Sequence, residues 1–309
     1  MSKLKNKIIY IAIIVLSLTY VLSFINVNKD ERSKVKTALI NPDYKDKITF
    51  MEFYDGDNQK ITLAKSNGFW EIQTEIHDVV LKIPANYQKI ESFLNLSTQI
   101  LNMYKISDTF TPENSFLILK PGSIQLKYGF DDKKYELFFG GQDFSHSSRY
   151  LMTGKSTNIY EISNVLDNYL TVSQQFWSDP KLISSEVLGK ISQNDIQRNY
   201  LKIDGILYEI LDLQKLLDLR HGGFSEISEN YEINENSEPQ AELFLELGNK
   251  NTVKLEFFQE NDASFIEVKS TYHRYSDINN GKNSEIYSFN SKISQWTYNK
   301  ILEISTKNV

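Results

Sequence analysis

An uncharged apolar run occupies the N-terminal part of the chain. From Ile8 to Ile25 the sequence reads IIYIAIIVLSLTYVLSFI, without a charged side chain. A helix of this run would be roughly 27 Å long at about 1.5 Å per residue, close to the ~30 Å hydrocarbon core of a bilayer. The pattern predicts a transmembrane helix over residues 8–27, which would make the chain an integral, single-pass membrane protein.

Basic residues indicate the direction of this predicted helix. Lys3, Lys5 and Lys7 precede it without an acid among them, which favours a cytoplasmic N-terminus over residues 1–7. Basic residues also follow the run, so the numbers of basic residues on its two sides differ little. We predict a location in the cytoplasmic membrane, with a stalk at 28–46 and the remaining chain facing the periplasm or the outside. A cleaved signal peptide is the alternative, but its apolar region would be about 7–15 residues long and would end in small residues.

Beyond the stalk, short β-type runs alternate with helical stripes. The runs ITFMEFY, QKITLAK and GFWEI are separated by turn signals and predict a meander of strands over 48–72. Apolar positions at a period of 3.6 then predict a helix at about 86–104. Four more strands (SIQLKYG, KYELFFG, SRYLMTG and NIYEI) and a second helix over 162–170 complete a first module, which we place at 47–185.

The same order of elements returns in a second module at 186–309. Short strands precede a helix near 211–219, and later strands precede a final helix near 292–304. YELFF at 135–139 resembles KLEFF at 254–258. Their separation along the sequence favours a duplicated domain over a solenoid repeat. The predicted fold class is α+β: an N-terminal transmembrane helix followed by two related modules of antiparallel strands, each packed with amphipathic helices.

Composition and charge exclude several classes of function. The net charge is −6 and the chain has no basic stripe, so we expect no nucleic-acid partner. The chain has no cysteine, which excludes disulfides, thiolate catalysis and zinc–cysteine sites. Phosphate-loop, dinucleotide-binding and hydrolase-elbow motifs are missing from the sequence, so no cofactor is predicted. No metal site is predicted either, because the four histidines are far apart in sequence: His77, His146, His221 and His273.

The stretch 140–150 is the most suggestive polar cluster. Its sequence, GGQDFSHSSRY, places Gln142, Asp143, His146 and Arg149 between two predicted strands. A hydrolase would need a nucleophile, a base and an orienting acid that converge there. We favour a hairpin loop in which Arg149 pairs with a carboxylate or with backbone carbonyls, so no catalytic residue is assigned. The same four residues are the candidate ligand-binding residues.

Tryptophans offer a further test of function. We expect Trp70, Trp177 and Trp296 to be anchors of the core or of the contact between the modules. A role in stacking against a glycan would instead require one of them on an exposed face.

Three stretches, at 60–72, 138–162 and 177–182, resemble the bacterial family named domain of unknown function 4340 (DUF4340). The positions that match its pattern are Gly68, Trp70, Gly140, Arg149, Tyr150, Tyr160 and Trp177. The resemblance covers about residues 48–185. It implies a membrane-anchored protein, in some cases associated with a gliding-type ABC transporter, and it carries no active site over to this chain.

Three hypotheses of function remain. The first is a membrane-anchored, extracytoplasmic accessory or binding protein without catalytic activity, whose partners would be ABC transporter subunits. The second is an envelope hydrolase acting on glycan or peptide, with Asp143, His146 and Arg149 as its polar cluster. The third is a structural envelope protein, which an exposed apolar patch without a concave pocket would favour.

Overall fold

The computed structural model describes residues 15–17, 33–57, 59–66, 68–76, 79–111, 116–189, 191, 193–224, 238–259, 265–278 and 281–307. These residues form two antiparallel β-sheets with a few short helices. The order of the strands in the sheets shows how the chain is organised, and it places the surfaces that bear on function.

The first sheet contains ten strands that pair only with antiparallel neighbours. Their order across the sheet is β1-β6-β10-β9-β8-β7-β2-β3-β4-β5. The bounds are β1 Lys34–Thr37, β2 Phe50–Asp55, β3 Lys60–Ser66, β4 Phe69–Ile76, β5 Val79–Pro84, β6 Leu101–Ser107, β7 Ile124–Phe130, β8 Lys133–Gln142, β9 Ser148–Thr153 and β10 Ile159–Ser163.

One helix, α1 (Tyr87–Ser97), supplies apolar side chains to the core of this sheet. Its side chains Ile90, Phe93 and Leu94 are buried, and they join inward-facing strand residues such as Phe53 in one cluster. The alternation of apolar and polar positions along the strands places one set of side chains in this cluster, because successive strand residues point to opposite faces. Two 3₁₀ helices accompany the sheet, at Pro42–Lys47 and Asn164–Tyr169.

The second sheet contains eight antiparallel strands and its own core. Their order is β13-β17-β16-β15-β14-β11-β12-β18. The bounds are β11 Ile196–Ile203, β12 Ile206–Ile210, β13 Gly223–Phe224, β14 Ala241–Leu247, β15 Thr252–Phe258, β16 Phe265–Ile278, β17 Gly281–Ser294 and β18 Ser305–Lys307. Two helices belong to this part of the chain, α4 (Leu213–Asp218) and α5 (Gln295–Glu303).

A connecting segment with two short helices joins the sheets. These are α2 (Gln174–Trp177) and α3 (Ser185–Leu188); a 3₁₀ turn at Gln193–Asp195 precedes β11. The sheets also touch directly, because Phe69 of β4 is buried in the second core with its ring 5.5 Å from that of Tyr287 on β17. The boundary that we predicted between residues 185 and 186 lies in this segment, and the division into two domains stays a prediction.

The prediction of a transmembrane helix over 8–27 is wrong. In the part of the chain that the structure describes, no helix is long and apolar enough to cross a membrane. Its longest helix, α1, has 11 residues, about 16 Å at the helical rise, against the ~30 Å core of a bilayer. Of the span 8–27, residues 15–17 are helical and the others lie outside the described residues. The location predicted from this helix is therefore wrong as well: a single pass through the cytoplasmic membrane, with the chain facing the periplasm or the outside.

The predicted α+β fold class is also wrong, because antiparallel sheet dominates the described residues. The helix predicted at 86–104 ends at Ser97, and β6 follows it. The helix predicted at 162–170 is the end of β10 followed by a 3₁₀ helix. Strand β1 lies within the range that we predicted as a stalk, and it pairs with β6.

Candidate functional site

The loop 143–147 connects β8 to β9 and contains most of the polar residues that the sequence singled out. The pairing of the two strands shifts register between Phe139 and Gln142, just before the loop begins. The backbone N–H of Asp143 donates to the carbonyl of Ser148 at 2.9 Å, and that of His146 donates to the carbonyl of Asp143 at 3.1 Å. These two bonds close the loop into a tight turn.

The carboxylate of Asp143 fixes the inside of this turn. It accepts hydrogen bonds from the backbone N–H groups of Ser145 at 3.2 Å, Ser147 at 2.9 Å and Ser148 at 2.9 Å, and from the hydroxyl of Ser145. Hydrogen bonds to a carboxylate favour its charged form. The Ser145 hydroxyl, followed by the Ser148 N–H, therefore holds the pKa of Asp143 well below its usual range.

A second set of bonds joins the loop to the 3₁₀ helix at Asn164–Tyr169. Gln142 accepts from the ring nitrogen Nδ1 of His146 at 2.6 Å and donates to the carboxylate of Asp167. Arg149 donates from Nε to the same carboxylate at 2.7 Å and from Nη1 to the carbonyl of Gly140. Arg149 thus makes both kinds of contact expected from the sequence, one to a carboxylate and one to a backbone carbonyl.

The structure brings together Gln142, Asp143, His146 and Arg149. Their side chains form hydrogen bonds with one another, with neighbouring side chains and with the backbone. The His146 ring is hydrogen-bonded through Nδ1 to the Gln142 side chain. The Asp143 carboxylate is bonded to the loop itself, as described above. The four side chains therefore stabilise the shape of the loop.

Sequence reasoning did not single out Phe144, the residue at the tip of this loop. Its side chain is fully exposed, with a relative accessibility of 102%. The backbone beyond it is held because Asn164 donates from its side chain to the His146 carbonyl at 2.7 Å. His146 itself has a φ of +56°, a left-handed conformation that few residues other than glycine adopt. The signal in the sequence was one aromatic residue in an otherwise polar turn.

The glycines of the DUF4340-like pattern have structural roles. Gly68 has a φ of +89° in the turn between β3 and β4, a conformation that residues with a Cβ rarely adopt. Gly140 leaves no room for a side chain, since a Cβ there would lie 2.5 Å from the carbonyl oxygen of Phe116.

The aromatic residues of the same pattern are packing residues. Trp177 is completely buried, and its indole N–H donates to the Thr171 carbonyl at 2.9 Å. Trp70 is 2% exposed and belongs to the same core. Tyr150 and Tyr160 are half-buried strand residues that pack on core clusters.

Trp296 is not a core residue, so the expectation that all three tryptophans are anchors is wrong for this one. Its side chain on α5 is 66% exposed, and the ammonium of Lys300 lies 5.7 Å from the centre of its ring. The buried face of α5 is formed instead by Thr297, Tyr298 and Ile301.

Among the described residues, no group of three or more His, Cys, Asp or Glu side chains is placed to hold a metal ion. His77, one of the four histidines considered above, lies outside the described residues.

No family model, no curated protein and no solved structure matches this chain. The resemblance to DUF4340 stays a prediction.

Proposed function

We propose that this chain is a non-catalytic binding protein that docks another protein through the loop 143–147, with Phe144 as the anchor. The observation that supports the proposal is a fully exposed phenyl ring on a loop whose conformation is fixed by internal hydrogen bonds. Large aromatic side chains that fill a pocket of the partner provide most of the energy in many protein interfaces.

Both the ring and the rigidity of its loop favour binding. Burying a phenylalanine side chain that was exposed to water contributes about 1.5–3 kcal/mol. A loop that is already ordered loses little conformational freedom when it binds, so less of that contribution is offset. The serine hydroxyls beside the ring would form a polar rim. The matching partner surface is an apolar pocket wide enough for a phenyl ring and bordered by polar groups.

The polar cluster supports binding better than hydrolysis. In the hydrolase hypothesis Asp143, His146 and Arg149 act on a substrate, whereas here they are bonded to Ser145, Gln142 and Asp167. A subunit of an ABC-type transporter is the partner class that the resemblance to DUF4340 suggests.

Site-specific photocrosslinking tests the proposal. A photoreactive phenylalanine analogue replaces Phe144 in the full chain, in cells that produce the protein, and a second version carries the analogue at Trp296 as the matched exposed aromatic. We expect one discrete protein adduct from position 144 and no such adduct from position 296. The same adduct should weaken when Asp143→Ala is added, because the loop then loses its fixed shape.

Two results would contradict the proposal. One is the absence of any adduct at position 144 under conditions in which the analogue is incorporated. The other is the same set of adducts from positions 144 and 296, which would indicate non-specific contact of exposed rings.

A further inference from the structure

A cleft of about 630 Å³ lies where the two sheets meet. Residues from both sheets and from the connecting segment line it, among them Lys65, Phe69, Glu186, Asn251 and Arg274. Ligand sites are common at such junctions, because two units can enclose a small molecule that neither encloses alone. This cleft is separate from the loop 143–147, none of whose residues lines it.

Arg274 on β16 lines the cleft, and the hydrogen-bonding capacity of its guanidinium is only partly used among the described residues. Its guanidinium carbon lies 4.8 Å from the centre of the Phe69 ring, so the group stacks on an aromatic face. Its Nη1 atom is buried and has no hydrogen-bond partner in the part of the chain that the structure describes. Across the described residues, no carboxylate forms an ion pair with Arg274. Glu285, the residue opposite it on β17, accepts instead from the hydroxyl of Tyr287.

The surroundings hold this guanidinium in place. Phe69 is 5% exposed and its ring packs edge-on against Tyr287, so the surface under Arg274 is fixed. The side chain of Asn251 accepts from the backbone N–H of Tyr275 at 2.8 Å, which fixes the strand next to Arg274. A guanidinium stacked on a ring keeps its N–H edge free to bind a planar anion, and that edge matches the geometry of a carboxylate.

The charge of the lining favours a ligand with a single negative charge. Lys65 and Arg274 are its two basic residues and Glu186 is its one acidic residue, which leaves a formal charge of +1 when Glu186 is ionised. Burial, followed by the nearby charge of Asp179, raises the pKa of Glu186. The carboxylate of Glu186 in the same lining disfavours a phosphate dianion more than it disfavours a monoanion.

We propose that the cleft binds a small organic carboxylate whose oxygens accept hydrogen bonds from the guanidinium of Arg274. The exposed ring of Tyr87 provides aromatic surface for the body of such a ligand, and the exposed Asn249 provides polar contacts. The guanidinium of Arg274 then gains the anionic partner that it lacks among the described residues.

The test is a titration of the full chain, labelled with ¹⁵N at arginine, and followed through the side-chain Nε–H signals. Only four other arginines contribute signals: Arg32, Arg149, Arg198 and Arg220. Benzoate and acetate are the carboxylate probes, and inorganic phosphate and chloride are the anion controls. We expect benzoate to shift the Arg274 signal saturably in the millimolar range, whereas chloride produces only a small linear change.

Variants make the test specific. Arg274→Gln should weaken benzoate binding at least about tenfold, because a charge-assisted hydrogen-bond pair is lost. Arg198→Gln is the matched control, since Arg198 is exposed and its guanidinium also stacks on a ring, that of Tyr200 at 5.3 Å. Arg274→Lys keeps the charge but loses the planar fork, and it identifies the Arg274 signal if the glutamine variant does not fold.

The proposal is wrong if benzoate moves the Arg274 signal no more than chloride does. It is also wrong if phosphate saturates that signal and the carboxylates do not, or if Arg198→Gln weakens binding as much as Arg274→Gln.

Discussion

At the scale of single residues, two tryptophans show how differently the same side chain can contribute. Trp177 is completely buried, with its ring 5.1 Å from that of Phe53 in a stacked arrangement and 6.1 Å from that of Phe93. Trp296 lies on the exposed side of α5. Removal of a buried ring leaves a cavity and an unsatisfied Thr171 carbonyl, whereas removal of an exposed ring leaves neither.

We expect Trp177→Ala to lower the free energy of unfolding by about 3–5 kcal/mol, and Trp296→Ala to change it by less than about 0.5 kcal/mol. Urea denaturation of both variants and the wild type measures the difference. Equal losses in the two variants would mean that the assigned environments of the two rings are wrong.

Burial of a single side chain is hard to predict from sequence, and Phe144 and Trp296 show why. A hairpin loop between two strands was predicted for the 140–150 region, because glycines and short polar residues are local turn signals. The exposure of Phe144 depends on how the described parts of the chain pack around the loop, which is a tertiary property. Trp296 fits an amphipathic helix pattern in sequence, yet α5 turns this ring away from the core.

At the scale of elements, helix α1 and strand β6 show that hydrophobic periodicity can predict where a helix begins but not where it ends. The 3.6-residue stripe correctly indicated a helix from about residue 86, but Leu101 and Tyr104 belong to β6. The helix ends where Thr98 donates both its backbone N–H and its hydroxyl to the Leu94 carbonyl. Strand β6 then pairs with β1 and β10, and these contacts between distant segments outweigh the local helical pattern.

The start of α1 gives a prediction at the same scale. The side chain of Asn86 accepts from the backbone N–H of Lys89 at 3.1 Å and caps the helix. Asn86→Ala should lower the free energy of unfolding by about 1 kcal/mol, because an N-terminal N–H loses its partner. Asn86→Ser keeps an acceptor and should retain most of that stability. Denaturant midpoints of the two variants measure the effect, and equal losses would argue against a capping role.

At the scale of the whole molecule, a buried polar network joins the connecting segment to the second sheet. The carboxylate of Asp179 accepts from the Ser184 hydroxyl at 2.7 Å. The Tyr272 hydroxyl accepts from the backbone N–H of Ser184 at 3.1 Å. The ring of His221 is bonded through Nε2 to the Asp179 carbonyl at 2.8 Å. Burial raises the pKa of Asp179 and lowers that of His221.

This network gives stability a dependence on pH. Because the pKa of folded His221 lies below the ordinary value of 6.5, the unfolded chain binds a proton more readily. The contribution of His221 to the free energy of unfolding should therefore fall as the pH drops from about 8 to about 5.5. Asp179 acts in the opposite direction, since its raised pKa adds stability as the pH falls towards its ordinary value of 3.8.

The variant His221→Gln isolates the contribution of the histidine. Its free energy of unfolding should fall less than that of the wild type over the same pH range, because one proton-binding group is gone. Denaturant titrations at several pH values measure how the free energy of unfolding of each protein changes with pH. The difference between the two free energies near pH 8 serves as the reference. Parallel slopes would contradict the role assigned to His221.

Local signals in the sequence were sufficient for many strands but not for the arrangement of the whole chain. Alternating residues and turn dipeptides predicted the meander that became β2, β3 and β4. The transmembrane prediction rested on the length of one apolar run, and the finding on the described helices overturns it. The cleft could not be predicted, because Phe69 and Arg274 are far apart in sequence and meet only where the sheets touch.

The central claim is that the chain binds another protein through Phe144, and the affinity of the crosslinked partner tests it most directly. The partner identified from position 144 is purified, and its dissociation constant is measured with the wild type, Phe144→Ala and Trp296→Ala. The account predicts that Phe144→Ala weakens binding at least about tenfold, as expected for an interface anchor, and that Trp296→Ala leaves the affinity unchanged. Equal affinities for the wild type and Phe144→Ala would contradict it.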